Sequence, residues 1–109
     1  MNSNQKHEPL ISYNNLTINF SAQCAEVGGA PLKLTRLEFN TLAYLLKNKN
    51  TAVPRTELLN EIWHINCVID TRATDDTMKR LRKKLSLYGA QIMIETIRGY
   101  GFIVRDLQH

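Results

Sequence analysis

The chain is poor in the residues that build cross-links, metal centres and catalytic sites. Of its 109 residues only two are cysteines. Cys24 and Cys67 lie far apart, each without a second cysteine at ligand spacing. Scattered thiols of this kind argue against a disulfide framework and a zinc site, and they suit a reducing compartment, the cytoplasm. His7, His64 and His109 form no ligand pattern with them. No apolar run approaches the ~18–20 residues that a membrane span needs, and the N-terminus shows no signal-peptide pattern. The Gly28-Gly29 pair lacks the lysine and the spacing of a phosphate-cradling loop. With no base-oriented nucleophile and no metal cluster, neither an enzyme nor a cofactor is expected. Aromatic residues make up 7% of the chain, and none form a stacking pair on a sheet face as an RNA binder would use. Net charge is also missing from residues 1–71, which hold six Lys/Arg and six Asp/Glu. Residues 72–109 hold eight against four, so the whole formal charge of +4 lies in the last third.

That last third carries the main signal. Thr71-Arg-Ala-Thr-Asp-Asp-Thr-Met-Lys-Arg-Leu-Arg-Lys-Lys-Leu85 reads as a helix over about 72–87. At 100° per residue, Thr74, Met78, Leu81 and Leu85 recur at spacings of 4, 3 and 4 and form one buried stripe. Arg72, Asp76, Lys79, Arg80 and Lys83 fall on the opposite side. A merely solvated helix face more often interleaves charges at i,i+4, whereas one-signed charge sorted onto one face is the footprint of a polyanion binder.

A Gly-rich hairpin follows over 94–104. Ile92, Ile94 and Ile97 on one side and Phe102, Ile103 and Val104 on the other have strand composition, with Arg98-Gly-Tyr-Gly101 as the tip. Gly99 and Gly101 permit the positive φ and the close approach that a tight turn requires. Arg98 and Tyr100 are then displayed at the apex, where a narrow groove or a phosphate would attract the arginine.

The rest reads as scaffold. Residues 1–9 are polar and resemble a flexible tail or linker stub, 10–105 form one domain, and 106–109 form a tail. Runs at Leu10–Tyr13 and 16–20, turned by Asn14-Asn15, and at Cys24–Val27 and 31–34, turned by Gly28-Gly29, predict a small four-stranded antiparallel sheet. Thr35 and Glu38 form a capping box, Leu34 can staple against Phe39, and Phe39, Leu42, Ala43 and Leu46 give the first helix its core stripe, ending at 48–51. A second helix is expected over 55–63, with Pro54 suiting its first turn and Leu58, Leu59, Ile62 and Trp63 as its apolar side.

This order of sheet, helix, helix, basic helix and hairpin resembles the winged helix-turn-helix of OmpR/PhoB-type response-regulator effector domains. The matching residues are Leu34-Thr-Arg-Leu-Glu-Phe39, Arg55-Thr-Glu-Leu-Leu59 with Trp63, Thr71-Arg72, Asp75, Arg80-Leu-Arg-Lys-Lys-Leu85 and Ile94-Glu-Thr-Ile-Arg-Gly-Tyr-Gly-Phe102. With the order of elements, the resemblance covers nearly everything from Leu10 to Val104. The resemblance implies an α+β fold with an N-terminal four-stranded sheet, three helices and a C-terminal hairpin wing. It implies sequence-specific binding of double-stranded DNA for transcriptional regulation, with the recognition helix in the major groove and the wing at the adjacent minor groove. It further implies two copies, a homodimer on DNA, on direct repeats about one helical turn apart. The loop before the recognition helix, His64, Ile65, Asn66, Cys67, Val68, Ile69 and Asp70, would contact RNA polymerase.

Carried across, Arg72, Lys79, Arg80 and Arg82 are recognition-helix contacts, and Thr96 and Arg98 are wing contacts, with Tyr100 beside them. The helical projection agrees on Arg72, Lys79 and Arg80. It places Arg82 on the flank near the core stripe, which suits phosphate better than a base edge, and Lys83 and Lys84 also suit phosphate. Asp76 has two readings: it accepts from a cytosine amino group, or it complements the helix dipole and pairs with Arg80 at i,i+4. The alternatives to a two-component effector are a stand-alone or membrane-anchored regulator, and a protein-interaction module using the apolar patch 67–69 without DNA binding.

Overall fold

Alternation of inward and outward residues over 16–19 and 24–27 gives the first sheet one buried face. The computed structural model describes residues 10–63 and 72–107, with the side chains of the last helix described from Thr74 onward. The expected tail 1–9 and the expected polymerase loop from His64 to Asp70 lie outside the described residues. Strands β1 (Leu10–Tyr13), β2 (Leu16–Asn19), β3 (Cys24–Val27) and β4 (Ala30–Leu32) form an antiparallel meander in that order. Leu16, Ile18, Ala25, Val27 and Leu32 point into the core, and Thr17, Cys24 and Glu26 do not. Gly28 at φ 60° and Gly29 at φ 88° make the two-residue turn that pairs Val27 with Ala30.

Helix α1 (Arg36–Lys47) begins where expected, because Thr35 accepts from the Glu38 N–H while the Glu38 carboxylate accepts from the Thr35 N–H. Its buried surface is wider than the expected stripe and takes in Glu38, Thr41 and Leu45 as well. A two-residue strand, β5 (Val53–Pro54), follows and was not expected. It claims Pro54 as extended chain at the N-cap of α2 (Arg55–Glu61), so the proline precedes the first turn rather than sitting inside it. Helix α2 also stops short of Trp63, which with Ile62 packs half-buried against the core.

Helix α3 (Arg72–Tyr88) ends at Gly89, whose φ of 74° lets the Ala90 N–H reach back to the Leu85 carbonyl at 2.9 Å. Strands β6 (Ile92–Ile97) and β7 (Gly101–Asp106) make the hairpin, two residues longer at each end than the expected 94–104. The second sheet has the order β5-β7-β6. The two tip glycines divide the work foreseen for them. Gly99 has φ 73°, but Gly101 serves close approach alone, since a Cβ there would lie 1.9 Å from the Val53 carbonyl oxygen.

Helix α1 lies at the centre. Leu42, Leu45 and Leu46 are buried in one cluster with Leu16, Ile18, Ala25 and Val27 of the first sheet and with Met78, Leu81, Phe102 and Val104. Each such side chain contributes about 1.5–3 kcal/mol relative to exposure. The two ends of the domain are also tied by polar contacts. Asn14 Nδ2 donates to the Gln91 carbonyl at 2.7 Å, Asn15 Nδ2 donates to the Gly89 carbonyl at 2.9 Å, and Lys49 meets Asp106 at 2.7 Å.

Candidate nucleic-acid interface

Helix α3 is held by its apolar stripe. Thr74, Met78, Leu81 and Leu85 are all buried, as is Thr77, so the helix lies with its other side outward. Asp76, Lys79 and Lys83 occupy that outer side and are exposed. At the hairpin tip Arg98 and Tyr100 are exposed as well. None of the ion pairs among the described residues engages Lys79, Lys83 or Arg98. Their charge faces solvent.

The other cations expected there have partners within the fold. Arg80 Nε meets Glu38 Oε2 at 3.2 Å, and Lys84 Nζ meets Glu38 Oε1 at 2.6 Å. Arg80 therefore turns to Glu38 and not to Asp76, so the i,i+4 pair considered for Asp76 is not the one made. Glu38 itself is 1% exposed. Burial pushes its carboxyl upward, but the Lys84 hydrogen bond, the Thr35 N–H, the Lys84 charge and the Arg80 hydrogen bond outweigh burial and hold it below the ordinary carboxylate value. Two cations sharing one carboxylate leave a reduced positive charge, so Arg80 and Lys84 contribute less to the surface potential than Lys79 and Lys83 do.

Arg82 is half-buried and points along the flank, as the helical projection expects. Its Nε donates to the Ile94 carbonyl at 2.9 Å, and its Nη2 donates to the Thr96 hydroxyl. Two residues expected to touch a ligand are thus bonded to each other. Arg55, at the start of α2, lies beside the tip end of the hairpin. Its Nε meets Asp75 at 3.2 Å, its guanidinium stacks 4.8 Å from the Phe102 ring centroid, and its backbone N–H donates to the Tyr100 carbonyl. The Arg72 side chain lies outside the described residues. The sequence marked Glu38 only as a capping residue. Its position four residues before Leu42 and seven before Leu45, on the core side of α1, was the available sign that it needed cationic partners.

Among the described residues no three His, Cys, Asp or Glu side chains gather as metal ligands would, and no helix is long and apolar enough to cross a membrane. What the geometry offers is an outward basic helix beside a hairpin with an exposed arginine at its tip. Three helices between a four-stranded sheet and a C-terminal hairpin, with that surface, define a winged helix-turn-helix domain. Residues 29–104 match the family described as "Transcriptional regulatory protein, C terminal". The chain belongs to this family, that of the OmpR/PhoB-type domains.

Response regulator ArlR of Staphylococcus aureus is 37% identical over 101 residues, which are 93% of this chain and 46% of that protein. The chain therefore spans about half the length of the curated relatives it matches. The DNA-binding domain of CpxR from E. coli superposes with a TM-score of 0.79 at 26% identity, covering 92% of this chain and 99% of that one. The DNA-binding domain of RstA from Klebsiella pneumoniae, solved in complex with the RstA box, has a TM-score of 0.76 at 26% identity, covering 92% of this chain and 98% of that one.

Proposed function

We propose that this domain binds double-stranded DNA at specific sequences to regulate transcription, as the effector part of a two-component response regulator in the cytoplasm. The observation that carries the reading is the pairing of outward Lys79 and Lys83 on α3 with outward Arg98 at the hairpin tip, three cations that no described carboxylate neutralises. Such charge is costly to explain in a domain that never meets a polyanion. The likeness to the RstA domain, whose structure contains the RstA box, supports the same reading.

In this account α3 enters the major groove. Lys79, Arg72 and Arg80 face base edges and phosphates, Lys83 and Lys84 face phosphate, and Asp76 sits where it can accept from a cytosine amino group. Arg98, with Thr96 and Tyr100 beside it, lies at the neighbouring minor groove. Two copies occupy direct repeats about one helical turn apart as a homodimer on DNA. The segment from His64 to Asp70 is assigned to RNA polymerase on family resemblance alone.

Selection of bound duplexes from a randomised pool, followed by sequencing, tests this. Two similar half-sites about one turn apart are expected. Retention without enrichment would limit the function to electrostatic association. No retention even at low salt would sink the DNA reading and favour a protein-interaction role through the 67–69 patch.

A further inference from the structure

We propose that Arg82 is a positioning residue: it locks the hairpin to α3 and so sets the spacing between Arg98 and the helix cations, rather than using its charge on phosphate. The proposal rests on the DNA-binding reading for its consequence, but the lock itself is a property of the free domain. Strand β6 is the outer strand of its sheet, with β7 on one side only. The Arg82 fork meets it there, one N–H on the Ile94 carbonyl at 2.9 Å and another on the Thr96 hydroxyl. The two acceptors are two residues apart on one strand, a spacing that a planar, multi-donor guanidinium spans and a single ammonium does not. Two of the five N–H donors of this half-buried side chain are thereby committed to the strand, and the guanidinium plane is fixed by them. Arg82 also stands between Lys79 and Lys83 in sequence, while Thr96 is two residues from Arg98. The link therefore joins α3, between two of its outward lysines, to a strand residue two positions before Arg98. Holding the two in one geometry before binding removes an ordering cost from association.

Charge and fork can be separated experimentally. Arg82→Lys keeps the charge without the fork, and Arg82→Gln keeps a donor without the charge. Measured on the selected duplex, a lock predicts that both lose affinity alike, by several-fold, since the released hairpin must then be ordered on binding. A phosphate contact predicts instead that Lys stays near wild type, while Gln loses affinity and about one unit of salt slope. That second result would overturn the proposal. Combining Arg82→Gln with Arg98→Ala extends the test. The loss from Arg98→Ala should shrink several-fold in the Arg82→Gln background, whereas additive losses would show that Arg82 does not act through the hairpin.

Amide exchange on the free domain is independent of DNA. Glu95, Thr96 and Ile97 should exchange several-fold faster in Arg82→Gln, with α1 unchanged. Thr96→Val, which removes only the hydroxyl acceptor, should have the same effect and serves where the arginine variants do not fold. Unchanged exchange at these amides overturns the lock. If the wild-type domain retains no duplex, the functional reading fails while the exchange result still decides the lock.

Discussion

Burying a carboxylate is unfavourable unless donors replace its water, and Glu38 has three: the Thr35 N–H, Arg80 and Lys84. Replacing it with Gln keeps an acceptor for the cap but removes the charge that gathers both cations. We expect Glu38→Gln to lower stability by about 1–3 kcal/mol, read from the midpoint of urea unfolding. The acid limb follows from the same site. Because the folded carboxyl lies below its ordinary value, its stabilisation is fully present above the unfolded value of about 4.3 and is lost as pH falls through the folded value. The pH dependence of stability in that range should flatten in Glu38→Gln. Tyr44 behaves in the opposite sense. Its hydroxyl donates to Glu57, and that bond, with burial and the charges of Glu57 and Glu61, raises it to about 12. Its contribution is present below the ordinary tyrosine value near 10 and is lost as pH rises through about 12. Spectrophotometric titration of Glu57→Gln should show one tyrosine moving back toward 10, and an unmoved curve would refute the assignment.

The hairpin is built as an element by two glycines used for different reasons. At Gly99 an alanine meets no atom within 4 Å but must adopt φ 73°, which costs about 1–2 kcal/mol. At Gly101 the backbone is ordinary, yet an added Cβ would meet the Val53 oxygen at 1.9 Å and the Pro54 Cα at 2.8 Å. Neither neighbour is a flexible side chain, so β5 must part from β7. Gly101→Ala should destabilise more than Gly99→Ala, by at least about 2 kcal/mol in all. It should also disturb the start of α2, because Pro54 is both the last residue of β5 and the N-cap of that helix. Equal losses for the two variants would contradict this division.

For the whole molecule the question is how much of the chain's +4 reaches a ligand. Lys83 is exposed outside every described ion pair, while its neighbour Lys84 is committed to Glu38. If Lys83 neutralises one phosphate, Lys83→Ala should lower the slope of log affinity against log salt by about 0.9, equally for all duplex sequences. Lys84→Ala should lower it by less and cost stability instead. Slopes falling equally for both would mean that Glu38 releases Lys84 on binding.

What the residues determine by themselves is whatever depends on neighbours in the chain. The Thr35–Glu38 cap, the Gly28-Gly29 turn, the stripe from Thr74 to Leu85 and the bias of charge to the last third are local periodicities, and each was legible before folding. Only the tertiary structure decided what the cations do. Arg80 and Lys84 meet a carboxylate 42 and 46 residues away, Arg82 meets a strand 12 to 14 residues on, and β5 exists only because β7 lies beside it. Lys79 and Arg80 both fall on the outer side of the helical projection, yet one faces solvent and the other meets a buried glutamate. They are told apart by which distant side chain the packed core brings within hydrogen-bond reach, and that depends on how whole elements dock rather than on any pattern along the chain.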